Sequence, residues 1–243
     1  MINVFGNRQG KNVRCVIMCG GKGSRFGSSG AHKSMATVEG MPVLGYVIDY
    51  WRAFTDDFIF VVKSGKEPLI EYVNKLPIKS QFIEPEILGG IAHGLSYVEP
   101  LIDSPFITVL GDCFCSGSFD FRGTLDYGIG VLGQARPEQI LRNYAVFTDV
   151  GRVIAVEEKP QQAKNDLCGM GFYFFQPDVF SYIRKTAPST RSNQLEITDV
   201  LQTMVDSGVD LRAVMFNGTY VNVGTLDDLD TVAAALQHDS MPR

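Results

Sequence analysis

The sequence predicts an α/β fold in which a mostly parallel, partly mixed central sheet carries helices on both faces. Three observations predict it. Through the first half of the chain, β-rich apolar runs alternate with stretches of helical period. Those runs are continuously apolar, as strands buried on both faces are. The first of them, "VRCVIM" (13–18), opens directly into a glycine-rich segment, where an open parallel sheet usually binds its ligand.

In order, the first-half strands are 13–18, "FIFVV" (58–62), "QFIE" (81–84) and "FITVLGD" (106–112), with helices at 41–54, 67–76 and 90–98 between them. Pro42 suits the first turn of its helix, and Val43, Leu44, Val47, Ile48 and Trp51 follow the helical period, so one stripe packs on the sheet. The second half changes character. "YAVFTDVGRVIAVEEKP" (144–160) reads as two strands joined by a tight turn at Val150-Gly151, and "GMGFYFF" (169–175) as a third. Helices are expected near 177–184 and 195–206, then "LRAVMF" and "TYVN" as two short strands. A closing helix over 225–236 begins with Thr225 and Asp228 at capping-box spacing. No internal repeat or linker interrupts the chain, so one domain is expected over 1–243, with a first half over about 13–115 and a β-rich second half over about 116–236.

Composition narrows the function. A chain of 243 residues with 45% hydrophobic and 20% charged residues has a sizeable core. The formal net charge of −5 argues against a nucleic-acid partner, which requires a basic face. No apolar stretch is long enough to span a membrane and no secretory signal opens the chain, so a cytoplasmic protein is expected. Cys15, Cys19, Cys113, Cys115 and Cys168 fit neither a disulfide framework nor a zinc spacing, and are read as buried thiols. His32, His93 and His238 receive no catalytic role and are expected at surface or helix positions.

The segment "CGGKGSRFGSSGAHKS" (19–34) pairs bare backbone with positive charge, as a phosphate ligand requires. A dinucleotide fingerprint starting at Gly21 would need glycine where Phe26 stands. A P-loop starting at Gly27 would need glycine where His32 stands. The third template, G-G-x-G-x-R with a later lysine, is met by Gly20, Gly21, Gly23, Arg25 and Lys33, with Ser24 between.

That loop resembles the signature of the sugar-1-phosphate nucleotidylyltransferases (NDP-sugar pyrophosphorylases), and four further segments match the family in order from about 13 to 236. Ser24 replaces the family's threonine and His32 its proline before the lysine. "EPEILGGIAHGL" (84–95) resembles E-P-x-G-T-G-G-A, which implies that Gly89 and Gly90 face the nucleotide, with Leu88 in the threonine's place. Glu84 is placed near the base, where a carboxylate could accept from guanine or from the cytosine amino group. "ITVLGDCF" (107–114) is similar to the family's L-G-D, which makes Asp112 a Mg²⁺ ligand. "VEEKP" (156–160) matches E-K-P, which implies that Glu158 binds sugar hydroxyls and Lys159 the sugar phosphate, with Glu157 a solvated neighbour. Gly171, in the family's G-x-Y-x-F strand, would let the sugar approach the backbone. "YVNVGTLDDL" (220–229) puts Asn222 where the family has its second metal-binding aspartate.

The resemblance implies a Rossmann-like, GT-A-like fold. It implies an enzyme that transfers NMP from a nucleoside triphosphate to a sugar 1-phosphate or a similar phosphate monoester, with Mg²⁺ and release of pyrophosphate. Arg25, Lys33, Asp112 and Lys159 would carry the reaction. Two other readings stay open: a guanylyl- or cytidylyltransferase acting on a non-sugar phosphate or phosphonate, and a non-catalytic regulatory subunit whose metal site Asn222 has weakened. Homo-oligomerisation stays open too.

Overall fold

The computed structural model describes residues 13–20, 32–121 and 125–239. In chain order the first-half elements are β1 (Arg14–Cys19), a 3-10 turn (Lys33–Met35), the two-residue strands β2 (Thr37–Val38) and β3 (Met41–Pro42), α1 (Val43–Trp51), β4 (Asp57–Val62), α2 (Glu67–Val73), β5 (Lys79–Ile83), α3 (Ile91–Ser96), a second 3-10 turn (Glu99–Leu101) and β6 (Phe106–Leu110). The second half adds β7 (Cys113–Phe119), β8 (Tyr127–Leu132), α4 (Pro137–Arg142), β9 (Tyr144–Asp149), β10 (Arg152–Glu158), β11 (Cys168–Phe175), α5 (Val179–Lys185), α6 (Ile197–Asp206), β12 (Leu211–Asn222) and α7 (Leu226–Asp239).

One ten-stranded sheet runs β5-β4-β1-β6-β11-β8-β12-β10-β9, with β7 paired to β12 off this path. β5, β4, β1 and β6 are parallel, and β11 joins β6 antiparallel, so the sheet is parallel in its first half and mixed in its second. Along β1 the side chains alternate. Cys15, Ile17 and Cys19 face the cluster that holds Leu44, Val47 and Trp51 of α1, while Val16 faces the cluster that holds Ala92 and Leu95 of α3 and Val200 and Leu201 of α6. Helices therefore cover both faces, as continuous apolar strands require. All five cysteines are buried and free. Among the described residues no helix is long and apolar enough to cross a membrane.

Several local expectations meet their residues. Val150 and Gly151 both take positive φ (46° and 77°), the geometry of a two-residue hairpin turn whose twist matches its strands. Three expectations are corrected. Pro42 lies in β3 and precedes α1, which starts at Val43. "LRAVMF" and "TYVN" are one strand of 12 residues, β12. Its Gly218 (φ 145°) opposes Gly117 (φ 142°) on β7, and a Cβ on either would meet the other strand's backbone at about 2.1–2.2 Å, so the glycine marks a close strand crossing and not a turn. Finally, β7 and β8 occupy a stretch for which no strand is predicted above.

Candidate active site

β1 is flanked by β4 on one side and by β6 on the other, all three parallel, so the order in which strands are added to the sheet reverses between β1 and β6. A cavity of 540 Å³ opens at that switch point, beyond the carboxyl ends of both strands, and its wall includes Cys19, Gly20, Lys33, Leu88, Gly90 and Asp112. A larger depression of 1260 Å³ lies at the opposite end of the sheet, against Tyr127, Asp178 and Arg212, and holds none of the predicted site residues. Of the glycine-rich loop, Gly20 is on the cavity wall, while Gly21, Gly23, Ser24 and Arg25 lie outside the described residues.

His32 is not a surface residue: it is 7% exposed and caps the 3-10 turn that carries Lys33. Its Nε2 donates to the Cys19 carbonyl and its Nδ1 accepts from the Ser34 N–H at 3.4 Å. The imidazole thus ties the turn to the end of β1, so hydrogen bonds fix here what a proline ring would fix by its dihedral angle. Lys33 is consequently held beside β6 and ion-pairs with Asp112, which is 5% exposed.

On the other wall, Gly90 has φ 107°, and a Cβ there would sit 2.4 Å from the Leu195 carbonyl oxygen. Two hydrogen bonds stitch this crossing: Leu195 N–H to Gly89 O at 2.7 Å and Ala92 N–H to Leu195 O at 3.1 Å. Glycine is required at 90 by both conformation and space. The contact also brings Gln194 and Glu196 onto the cavity wall. Leu88 closes the same wall, its Cδ2 lying 3.2 Å from where a Cβ on Gly20 would be. Glu84 does not line the cavity. It is exposed at the sheet edge, its carboxylate paired with Lys66 and, at 3.8 Å, with Lys63.

Glu158 ends β10 and Lys159 follows it. In register, Glu158 opposes Tyr144, and Tyr144 in turn opposes Gly169 at the start of β11, so the β9–β10 hairpin delivers the pair toward the carboxyl end of β6. Lys159 is in the left-handed region (φ 44°), where its N–H donates to the Asn143 carbonyl at 2.8 Å. Burial pushes the Glu158 carboxyl above its ordinary value of 4.5; Lys159 and Arg191 oppose that rise and Glu196 adds to it. Arg191 bridges the two carboxylates, 3.6 Å from Glu158 and 3.7 Å from Glu196. Glu196 therefore belongs to both halves, facing the cavity of Asp112 and the arginine of Glu158. Glu157 pairs outward with Lys164 at 2.8 Å.

Asn222 ends β12, and the next residue's N–H donates to the Asp112 carbonyl at 2.9 Å. The Asn222 amide nitrogen donates to Asn143 Oδ1 at 2.7 Å, which leaves its amide oxygen as the acceptor end. Asp112 and Asn222 thus offer one carboxylate and one amide oxygen, a hard all-oxygen set that suits Mg²⁺, an ion that keeps several waters. Among the described residues no cluster of three or more His, Cys, Asp or Glu offers a competing site. Burial pushes the Cys113 and Cys115 thiols up, and Cys113 Sγ shares a hydrogen bond with Tyr220 Oη at 3.2 Å. Gly171 has a packing reason of its own: a Cβ would meet Cys113 Sγ at 2.7 Å and Leu110 Cγ at 2.8 Å, and its N–H donates to Tyr220 Oη at 3.1 Å.

Sequence reasoning missed Asn143, Arg191, Gln194 and Glu196. The only local hint was a glutamate directly ahead of a helix in "NQLEITDV" (193–200). Asn143 gave none, since its importance lies in partners 16 and 79 residues away.

Residues 14–239 match the model of the family described as nucleotidyl transferase. A glucose-1-phosphate thymidylyltransferase of Streptomyces antibioticus is 28% identical over 95% of this chain and 68% of its own length. The UTP–glucose-1-phosphate uridylyltransferase AglF of Haloferax volcanii is 26% identical over 94% of this chain and 98% of its own. The chain also resembles the bifunctional protein GlmU of Methanocaldococcus jannaschii at 26% identity, spanning 50% of that protein's length. In fold it is similar to a UDP-glucose pyrophosphorylase solved with UDP-glucose (TM-score 0.79, 20% identity, 94% of this chain and 100% of that one). It is equally similar to the inositol-1-phosphate CTP transferase of T. maritima (TM-score 0.79, 19% identity, 94% and 96%). With Gly20, Lys33 and the L-G-D aspartate on the wall of one cavity and residues 14–239 matching the family's model, the chain belongs to the nucleotidyl transferase family, among relatives that are sugar-1-phosphate nucleotidylyltransferases.

Proposed function

We propose that this protein joins a sugar 1-phosphate to a nucleoside triphosphate, releasing pyrophosphate and forming an NDP-sugar. The observation that carries the reading is the bridge from Asp112 and Lys33 through Glu196 and Arg191 to Glu158 and Lys159, which brings a triphosphate end and an acceptor end into one site. The acceptor phosphate attacks the α-phosphorus in line, and pyrophosphate leaves. A phosphate monoester has its second pKa near about 6, so the nucleophile is an anion at neutral pH and no general base is needed. The work left to the protein is to hold two polyanions together and to offset charge in the transition state.

Gly20, Gly89 and Gly90 bring backbone to the nucleotide, and Arg25 and Lys33 supply the positive charge that offsets its phosphates. Lys159, fixed by its left-handed backbone, meets the acceptor phosphate, and Glu158 takes the sugar hydroxyls. Asp112 and Asn222 would hold Mg²⁺, which when bound neutralises phosphate charge between donor and acceptor. In the finer reading the base is guanine or cytosine, and Glu84, which stands off the cavity wall, would reach it only by giving up Lys66 and Lys63. A non-sugar phosphate monoester would meet the same cations, and the acceptor panel below includes such compounds.

Pyrophosphate release by two variants tests the division of labour. Lys159→Ala raises the acceptor KM and lowers kcat, whereas Lys33→Ala lowers kcat/KM for the nucleotide. Equal effects of both on both substrates would contradict the assignment.

A further inference from the structure

Asn143, the residue that ends α4, touches three parts of the site at once. Its side-chain Nδ2 donates to the Gln139 carbonyl at 2.8 Å, its Oδ1 accepts from Asn222 Nδ2 at 2.7 Å, and its own carbonyl accepts from the Lys159 N–H at 2.8 Å. The preceding residue, Arg142, grips Asp228 through both terminal nitrogens at 2.9 and 2.7 Å. The carboxyl end of α4 is thus bolted to the 222–228 segment by two side chains and to the E-K-P lysine by its backbone.

An amide has a donor end and an acceptor end, and its network decides which faces where. Asn143 cannot turn over without setting its NH₂ against the Asn222 NH₂ and its oxygen against the Gln139 carbonyl oxygen. With Asn143 fixed, Asn222 must offer nitrogen to Asn143 and keep its oxygen for another partner. A second metal-binding aspartate would need no such control, because its two oxygens are equivalent. Asparagine does, since a cation is repelled by the NH₂ end. The same residue holds Lys159 in a backbone region (φ 44°) that non-glycine residues seldom adopt.

We infer that Asn143 is a positioning residue: it orients the Asn222 amide so that its oxygen is the metal ligand, and it clamps Lys159 onto the acceptor phosphate. The inference rests on the nucleotidyl-transfer reading above. It sets this chain apart from relatives with two metal-binding aspartates, in which the first of these two tasks does not arise.

The test is direct Mn²⁺ binding to the free protein by electron paramagnetic resonance, in Asn143→Ala, Asn143→Asp, Asn222→Asp and the Asn143→Ala/Asn222→Asp double variant, with acceptor KM and kcat measured alongside. Asn143→Ala weakens Mn²⁺ binding by about tenfold or more, the usual cost of removing an outer partner of a metal ligand. Asn143→Asp, which still accepts from the Asn222 NH₂ but sets its second oxygen against the Gln139 carbonyl, loses less Mn²⁺ affinity than Asn143→Ala. In the Asn222→Asp background Asn143→Ala changes Mn²⁺ affinity by less than twofold, yet still raises acceptor KM through Lys159. An equal loss of Mn²⁺ affinity in both backgrounds, or no loss in either, would overturn the inference. Should Asn143→Ala fail to fold, the wild-type chain gives the answer: Mg²⁺ shifts the Asn222 side-chain ¹³Cγ resonance in NMR while its Nδ2 protons stay protected, and a ¹³Cγ resonance that ignores Mg²⁺ contradicts the inference. Wild type that releases pyrophosphate but binds no Mn²⁺ refutes the role of Asn143 alone. Wild type that binds Mn²⁺ in an Asn143-dependent way, yet transfers no nucleotide to any acceptor, refutes the transfer reading alone.

Discussion

Replacing Asp228 by asparagine removes one carboxylate that serves the cap of α7 and the tie from α4 to the 222–228 segment together. Asp228 Oδ2 accepts from the N–H groups of Gly224 and Thr225, both at 2.8 Å, and from Thr225 Oγ1 at 2.9 Å, while Arg142 grips both oxygens. Burial alone would raise this carboxyl, but Arg142 and the donors of Gly224 and Thr225 overcome it and bring the group from 3.8 down to about 2. At about 1.36 kcal/mol per tenfold, that difference corresponds to roughly 2.4 kcal/mol. Arg142 is 49% exposed and solvent screens part of its share, and asparagine keeps an acceptor for the cap, so the expected loss is about 1–2 kcal/mol. In a domain of this size that lowers Tm by about 3–6 °C. The sign of the pH dependence follows from the depressed value. The contribution is complete above about pH 5, where the unfolded group is ionised, and it disappears as pH falls through about 2, with about half left near pH 3. Urea unfolding of wild type and Asp228→Asn at pH 7 and at pH 3 measures it: the gap in midpoint is present at pH 7 and about halved at pH 3. A gap below 0.5 kcal/mol at pH 7, or one unchanged by acid, would refute the reasoning.

Gly90→Ala sets a Cβ 2.4 Å from the Leu195 carbonyl, in a backbone region of high cost, so the 194–196 segment is displaced and nucleotide affinity falls by about tenfold or more by calorimetry; unchanged affinity would contradict the wall described here. Glu158→Gln removes a carboxylate whose burial penalises its charge above its raised value, so at pH 7 the free protein melts slightly higher while acceptor KM rises on the order of tenfold, and a lower Tm would contradict the burial argument. Arg25→Ala lowers kcat by about 10² at saturating substrates, measured by pyrophosphate release, and full activity would remove Arg25 from the phosphate loop.

The parallel half of the sheet was legible because its strands are short, continuously apolar and punctuated by glycine, and because β1 opens straight into the loop of 19–34. The hairpin at Val150-Gly151 was legible for the same local reason, a turn that needs two positive φ values. β7 was not, since "CFCSGSF" carries its apolar residues at one end and its register comes from β12. β12 was divided because Asn217-Gly218 has turn chemistry, whereas the structure uses the glycine to let two backbones cross. Asp112, Glu158, Lys159 and Asn222 could be named from short motifs, each at a strand end. Asn143, Arg191 and Glu196 could not, because each acts on a group brought to it by the fold. His32 illustrates the same limit. Its departure from the family pattern is visible in the sequence, but its bond to the Cys19 carbonyl, which keeps Lys33 in place, is visible only in three dimensions.

The most direct measurement is a matrix of pyrophosphate release in which GTP, CTP, UTP, dTTP and ATP are each tested against sugar 1-phosphates and other small phosphate monoesters, with and without Mg²⁺. The account predicts one nucleotide and sugar 1-phosphate pair that reacts only with the metal and loses its acceptor affinity in Lys159→Ala. Silence in every combination while a nucleoside triphosphate still binds the protein would contradict it.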